Sequence, residues 1–222
     1  MKKMLSILVA LSGIVTACYS QTTGYRAGEQ VTADGITFKV EGEFDAVLRM
    51  QNIRNRWTDS VRVYYRDGRP LEPENYDLVS ATALPGSLNR ALTATFTESE
   101  FEELQAQTDE SLILYVTISP AEGRVCEVGF IMDREAMQLI PPEKFALLEK
   151  NLKQYVTYEV NALGKQLQYL GGPVFVNFSR LHLDYTDAGN SGGVDIGGSL
   201  EGTLIDPNRP GFGDSGGKTQ DD

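Results

Sequence analysis

Two cysteines, one histidine and one tryptophan are the chain's whole supply of those residues. Zinc sites built on spaced Cys and His ligands are excluded as a class. A disulfide framework is excluded too, because Cys18 lies in the N-terminal segment and leaves only Cys126 for a folded region. There is no Gly-x-Ser-x-Gly elbow, and no glycine-rich loop leads from a strand into a helix. No run of apolar residues reaches the ~20 that a membrane-spanning helix needs. Positive charge is short as well. The formal net charge is −11, which repels phosphate backbones and removes nucleic acid from the expected partners.

What is there begins with an address. Met1 to Met4 carries Lys2 and Lys3, and Leu5 through Val15 is apolar apart from Ser6, Ser12 and Gly13. That pattern reads as a secretion signal over residues 1–20. Two cleavage chemistries fit it. Val15-Thr16-Ala17-Cys18 resembles a bacterial lipobox, which makes Cys18 a lipidation site and holds the protein on a membrane by an anchor alone. Small residues at Cys18 and Ser20 equally suit ordinary cleavage before Gln21. Either way the expected location is beyond the cytoplasmic membrane, in the periplasm or on the outer membrane as a lipoprotein. Loss of Lys2 and Lys3 would move the charge from −11 to −13.

Residues 21–30 are polar and read as a tether. An α+β domain is expected over 31–184, one antiparallel sheet with two or three helices. Val31–Ala33 and Ile36–Val40 flank Asp34-Gly35, a pair that supplies the positive φ of a tight hairpin turn. Phe44–Met50 and Ser60–Arg66 read as strands, the latter stopping at Asp67-Gly68. Pro70 and Pro73 mark Leu71–Tyr76 as loop. Pro85–Thr95 is expected to be a short helix. Thr97 and Glu100 have capping-box spacing ahead of a helix to Gln107. Leu112–Ser119 and Arg124–Ile131 form a strand pair about Pro120–Gly123. On the second strand, Val125 and Glu127 should share one face and Cys126 and Val128 the other. Pro141-Pro142 opens a helix with Phe145, Leu148, Leu152 and Tyr155 on one stripe. Gln166–Leu170 and Val174–Leu183 read as strands separated by a Gly171-Gly172-Pro173 break. Residues 185–222 hold ten of the 22 glycines from Thr186 onward and read as a disordered tail, since they cannot bury enough surface to order themselves.

The order helix, strand, strand, helix, strand from Thr97 to Leu183, with Ile118-Ser-Pro-Ala-Glu-Gly-Arg-Val125 as its turn, resembles the C-terminal domain of TonB-type proteins. The resemblance implies an open sheet edge that accepts a partner strand. The export signal, Asn55-Arg-Trp-Thr58 and Gly164-Lys-Gln-Leu-Gln-Tyr169 make the whole chain similar to secreted or lipoprotein domains of unknown function of the Bacteroides type. That likeness implies no activity.

No catalytic set, metal site or cofactor is expected. The only histidine, His182, lies near the domain's end. Glu98, Glu100, Glu102 and Glu103 decorate one helix. Asp184, Asp187 and Asn190 miss the EF-hand pattern. Cys126 sits in an apolar alternation and reads as a small buried hydrophobe. The candidate binding surface is Trp57, Tyr64, Tyr65 and Arg62, aromatics among arginines that either stack on a ligand or belong to the core. Three functions remain open. The first is a noncatalytic binding or assembly module of the envelope, taking a protein or peptide by β-augmentation at Val174–Leu183. The second is a secreted hydrolase of glycans or peptides using His182, Glu127 and Asp133. The third is a carbohydrate-binding module, which needs Trp57 and Tyr64 or Tyr65 exposed in one plane.

Overall fold

The computed structural model describes residues 24–44, 46–57 and 62–185. The signal, Cys18 and the expected tail from Thr186 onward lie outside the described residues. The chain is α+β. Its strands are β1 (Gln30–Ala33), β2 (Ile36–Phe44), β3 (Val47–Asn52), β4 (Ala81–Ala83), β5 (Ser111–Ser119), β6 (Arg124–Asp133), β7 (Tyr158–Val160) and β8 (Leu170–Asn177). Its α-helices are α1 (Ser87–Thr93), α2 (Glu98–Gln107), α3 (Arg134–Met137) and α4 (Pro142–Tyr155). Six strands make one antiparallel sheet in the order β1-β2-β3-β6-β5-β8, and β4 pairs with β7 apart from it. Among the described residues, no helix is long and apolar enough to cross a membrane.

The local signals act where expected. Asp34 (φ 48°) and Gly35 (φ 77°) both adopt positive φ between β1 and β2. Thr97 caps α2 reciprocally with Glu100. Pro142 stands in the first turn of α4, where its missing N–H costs no bond.

Among the described residues, the helices pack on one face of the sheet. Cross-strand register puts Val40, Met50, Phe130, Leu114 and Val174 in one row, and all five are buried. Phe145 of α4 packs on Phe130 with ring centroids 4.9 Å apart. Each such large apolar side chain contributes about 1.5–3 kcal/mol on burial.

Several expectations need correction. Of the expected strand Ser60–Arg66, Ser60 and Val61 lie outside the described residues, and residues 62–66 are not a strand. Tyr64 and Tyr65 make only isolated bridges, to Pro70 and Leu167, because the turn at Gly68 (φ 88°) folds the segment back on itself. Leu71–Tyr76 is not all loop; Pro73–Leu78 is a 3₁₀ turn. Gln166–Leu170 is not a strand either, since Gly164–Gln166 is a 3₁₀ turn and β8 starts at Leu170. Gly171-Gly172-Pro173 does not interrupt β8, and β8 ends at Asn177, short of Leu183. Beyond it Arg180 and Leu181 donate to the Asn177 carbonyl in a turn. In the segment read as a tether, Tyr25 is buried. Its hydroxyl donates to the Ile140 carbonyl at 2.6 Å.

On β6, Glu127 opposes Thr117 and Val125 opposes Ile118. Cys126 is thus the extra residue of a β-bulge, and the face of Val125 switches. Val125 joins Val128 inside instead of sharing Glu127's face. Cys126 itself is half-buried.

Candidate functional site

The second face of the sheet follows from the same register. Glu41, Arg49, Ile131, Ile113 and Phe175 form one row on it. Lys39, Gln51, Gly129, Tyr115 and Pro173 form the next. Phe175 is 60% exposed. Ile113, Ile131 and Tyr115 are half-buried. This face therefore presents an apolar strip beside β8 that gives way to charged residues toward β2.

Among the described residues, β8 is an edge strand, paired with β5 alone. Pro173 explains how it tolerates that place. A proline has no N–H for a ladder and belongs on an edge with its nitrogen toward the free side. Strand alternation then turns the backbone groups of Gly171, Phe175 and Asn177 to the same free side. Among the described residues, no backbone group outside β5 bonds to the stretch Gly171–Val176.

One end of this face is roofed by residues 53–57, and the roof is fixed at several points. Glu127, 6% exposed, accepts the backbone N–H of Arg56 at 2.6 Å and of Trp57 at 2.9 Å. Asn55 donates to the Val128 carbonyl at 2.9 Å. At the loop's start, buried Asn52 donates to Glu149 of α4 at 3.0 Å and accepts from the Arg54 N–H. Two buried carboxylates from different elements thus hold one surface loop. The Trp57 ring stacks on Tyr169 at 5.7 Å, and the Tyr169 hydroxyl donates to the Arg62 carbonyl. Tyr169 immediately precedes β8.

The candidate residues separate by role. Trp57, Tyr64 and Tyr65 are half-buried, and Arg62 is exposed. Trp57 and Tyr65 pack against the core. Tyr65 also faces the Arg69 guanidinium, 5.1 Å from its ring centroid. Trp57 and Arg62 meet through Tyr169, while Tyr64 and Tyr65 belong to the hairpin about Gly68. Sequence reading missed Glu127 and Glu149 as anchors, because their partners lie 70 or more residues away.

The three groups offered for hydrolysis are not brought together. Glu127 and Asp133 lie six residues apart on β6, roughly 20 Å at 3.3 Å per residue. Asp133 accepts from Glu135 and Ala136 as the cap of α3, and His182 is exposed. Burial, with the Glu127 charge, pushes the Cys126 thiol up to about 11, so it stays protonated and poorly nucleophilic. Among the described residues, no group of three His, Cys, Asp or Glu side chains is placed to hold a metal ion. A shallow cavity of about 250 Å³ lies elsewhere, between Phe96, Leu104, Leu139 and the Glu100–Lys144 pair.

Fold and surface together define an α+β fold with one helix-covered sheet face and a second face that is buried under residues 53–57 and opens toward Phe175. A DUF5043 family protein from Bacteroides uniformis ATCC 8492 is similar in structure, with a TM-score of 0.57 at 20% identity over 72% of this chain and 90% of that chain. The likeness concerns the fold, which is shared with a Bacteroides domain of unknown function. No family model matches the sequence, and no curated protein does.

Proposed function

We propose that the chain is an exported, noncatalytic binding module that takes an extended peptide of a partner protein onto the free edge of β8. The observation that carries this reading is the edge itself: within an eight-residue strand, the stretch Gly171–Val176 takes no backbone bond from outside β5 among the described residues, and Phe175 beside it is 60% exposed on the open face. An added strand gains main-chain hydrogen bonds along such an edge, and its alternate side chains cover the apolar strip. Pro173 shortens the bondable stretch, which limits indiscriminate pairing. The TonB-type element order and the N-terminal signal agree with an envelope role in which β-augmentation joins two proteins. The signal also makes a lipid anchor at Cys18 part of the proposal. A hydrolase gains no support from the separated Glu127, Asp133 and His182. A glycan module gains none from Trp57, one ring face of which is occupied by Tyr169.

Binding of a fluorescent Val/Thr decapeptide tests the reading. Phe175→Pro removes an outward N–H without touching the bonds to β5, so it should weaken binding at least tenfold while the melting temperature holds. Equal binding by the wild type and this folded variant would reject the edge.

A further inference from the structure

The segment that starts in the roof and runs on to the hairpin about Gly68 carries an unusual charge. From Arg54 to Arg69 the chain has five arginines against two aspartates, a local +3 in a protein of net −11. Arg69 is paired with Asp67 at 2.9 Å, and Arg66 donates to the Leu167 carbonyl at 3.4 Å. Arg54, Arg56 and Arg62 are exposed, and among the described residues no acid pairs with them. A solvated face would not need its backbone fixed from beneath. This one is held by Glu127 and, through Asn52, by Glu149, although burying a carboxylate is costly. Residues 54–57, held in this way, lose little entropy when Arg54 and Arg56 engage a ligand. Guanidinium forks match carboxylates in shape and charge.

Resting on the edge-binding reading, we infer that the partner peptide is acidic at the end that passes the start of β8, and that Arg54, Arg56 and Arg62 receive its carboxylates. The position favours a peptide over an anionic glycan. The Tyr169 hydroxyl holds the Arg62 carbonyl, one residue before Leu170 begins the free edge. A strand added to β8 therefore meets Arg62 first, while Arg54 and Arg56 stand farther in, where Asn52 of β3 and Glu127 and Val128 of β6 hold residues 54–56. The flat ring that a sugar would use, Trp57, already stacks on Tyr169.

The test uses the full chain and two labelled Val/Thr decapeptides, one ending in three glutamates and its twin in three glutamines. The glutamate peptide should bind at least tenfold more tightly at low salt. The advantage should vanish in an Arg54→Gln, Arg56→Gln, Arg62→Gln variant and shrink with added salt. Phe175→Pro should weaken both peptides. Equal affinity for the twins would overturn the charge inference and leave the edge reading standing. A preference unaffected by the triple substitution would also overturn it. Tighter, arginine-dependent binding of a heparin-derived hexasaccharide would replace it with an anionic glycan. Failure of both peptides would overturn the edge reading and this inference with it.

Discussion

The backbone N–H of Trp57 donates to the Glu127 carboxylate at 2.9 Å, joining residues 70 apart in the chain. The other carboxylate oxygen takes the Arg56 N–H. Glutamine at position 127 keeps one acceptor and turns an amide N–H₂ toward the other donor. Glu127→Gln should destabilise the fold by about 1–3 kcal/mol, the cost of a buried polar group left without its partner. Trp57 is the only tryptophan, so its emission reports the loop directly. A red shift under native conditions is expected, and an unchanged spectrum would show that the loop is held elsewhere.

The second anchor couples β3 to α4. Asn52 donates to Glu149 at 3.0 Å, and Lys153 donates to the same oxygen at 2.6 Å. Asn52→Ala should cost about 1–3 kcal/mol. A double-mutant cycle with Glu149→Gln should give a coupling of about 0.5–3 kcal/mol. Strict additivity in urea titrations would deny the link.

Gly123 allows no side chain. Its φ is +67°, and a Cβ there would lie 2.0 Å from the Tyr158 carbonyl oxygen. Gly123→Ala combines left-handed strain with overpacking, so a loss of at least about 2 kcal/mol is expected. Thermal melting checks it; a loss below about 0.5 kcal/mol, a quarter of the smallest expected effect, would mean the turn moves freely.

The Glu100–Lys144 pair sets a pH dependence. Burial opposes ionisation of Glu100, but donors on Lys144 and Thr97 more than offset this and hold its pKa below 4.5. A carboxyl depressed by folding stabilises the native state above its unfolded pKa, and that contribution fades as pH falls through the folded value. Lys144→Met should therefore lower the melting temperature at pH 7, with the difference from wild type narrowing below pH 4.5. A constant difference down to pH 2 would show that the pair contributes no proton linkage.

Local chemistry explains which parts of the fold were legible. Asp34-Gly35, the Thr97–Glu100 cap and the α4 stripe are written within a few residues, and each forms the expected element. The course of β8 is not legible locally, because Gly-Gly-Pro breaks an interior strand but is compatible with an edge, and edge status depends on sheet order. Simple alternation places Val125 on the face of Glu127, and it cannot register the bulge at Cys126 that turns Val125 inward. The candidate surface was legible in part. Trp57 and Arg62 do meet, but through Tyr169, more than 100 residues onward. Nothing near Glu127 in sequence reveals that its carboxylate supports Arg56 and Trp57.

Amide hydrogen exchange on the full chain with the glutamate-ended peptide tests the account most directly. Strand addition predicts that the Gly171, Phe175 and Asn177 amides, which face the free side of β8, slow at least tenfold on peptide binding. The Gly172, Val174 and Val176 amides, already bonded to β5, should change little. Saturating peptide with no slowing at Phe175 would contradict the claim that β8 receives a partner strand.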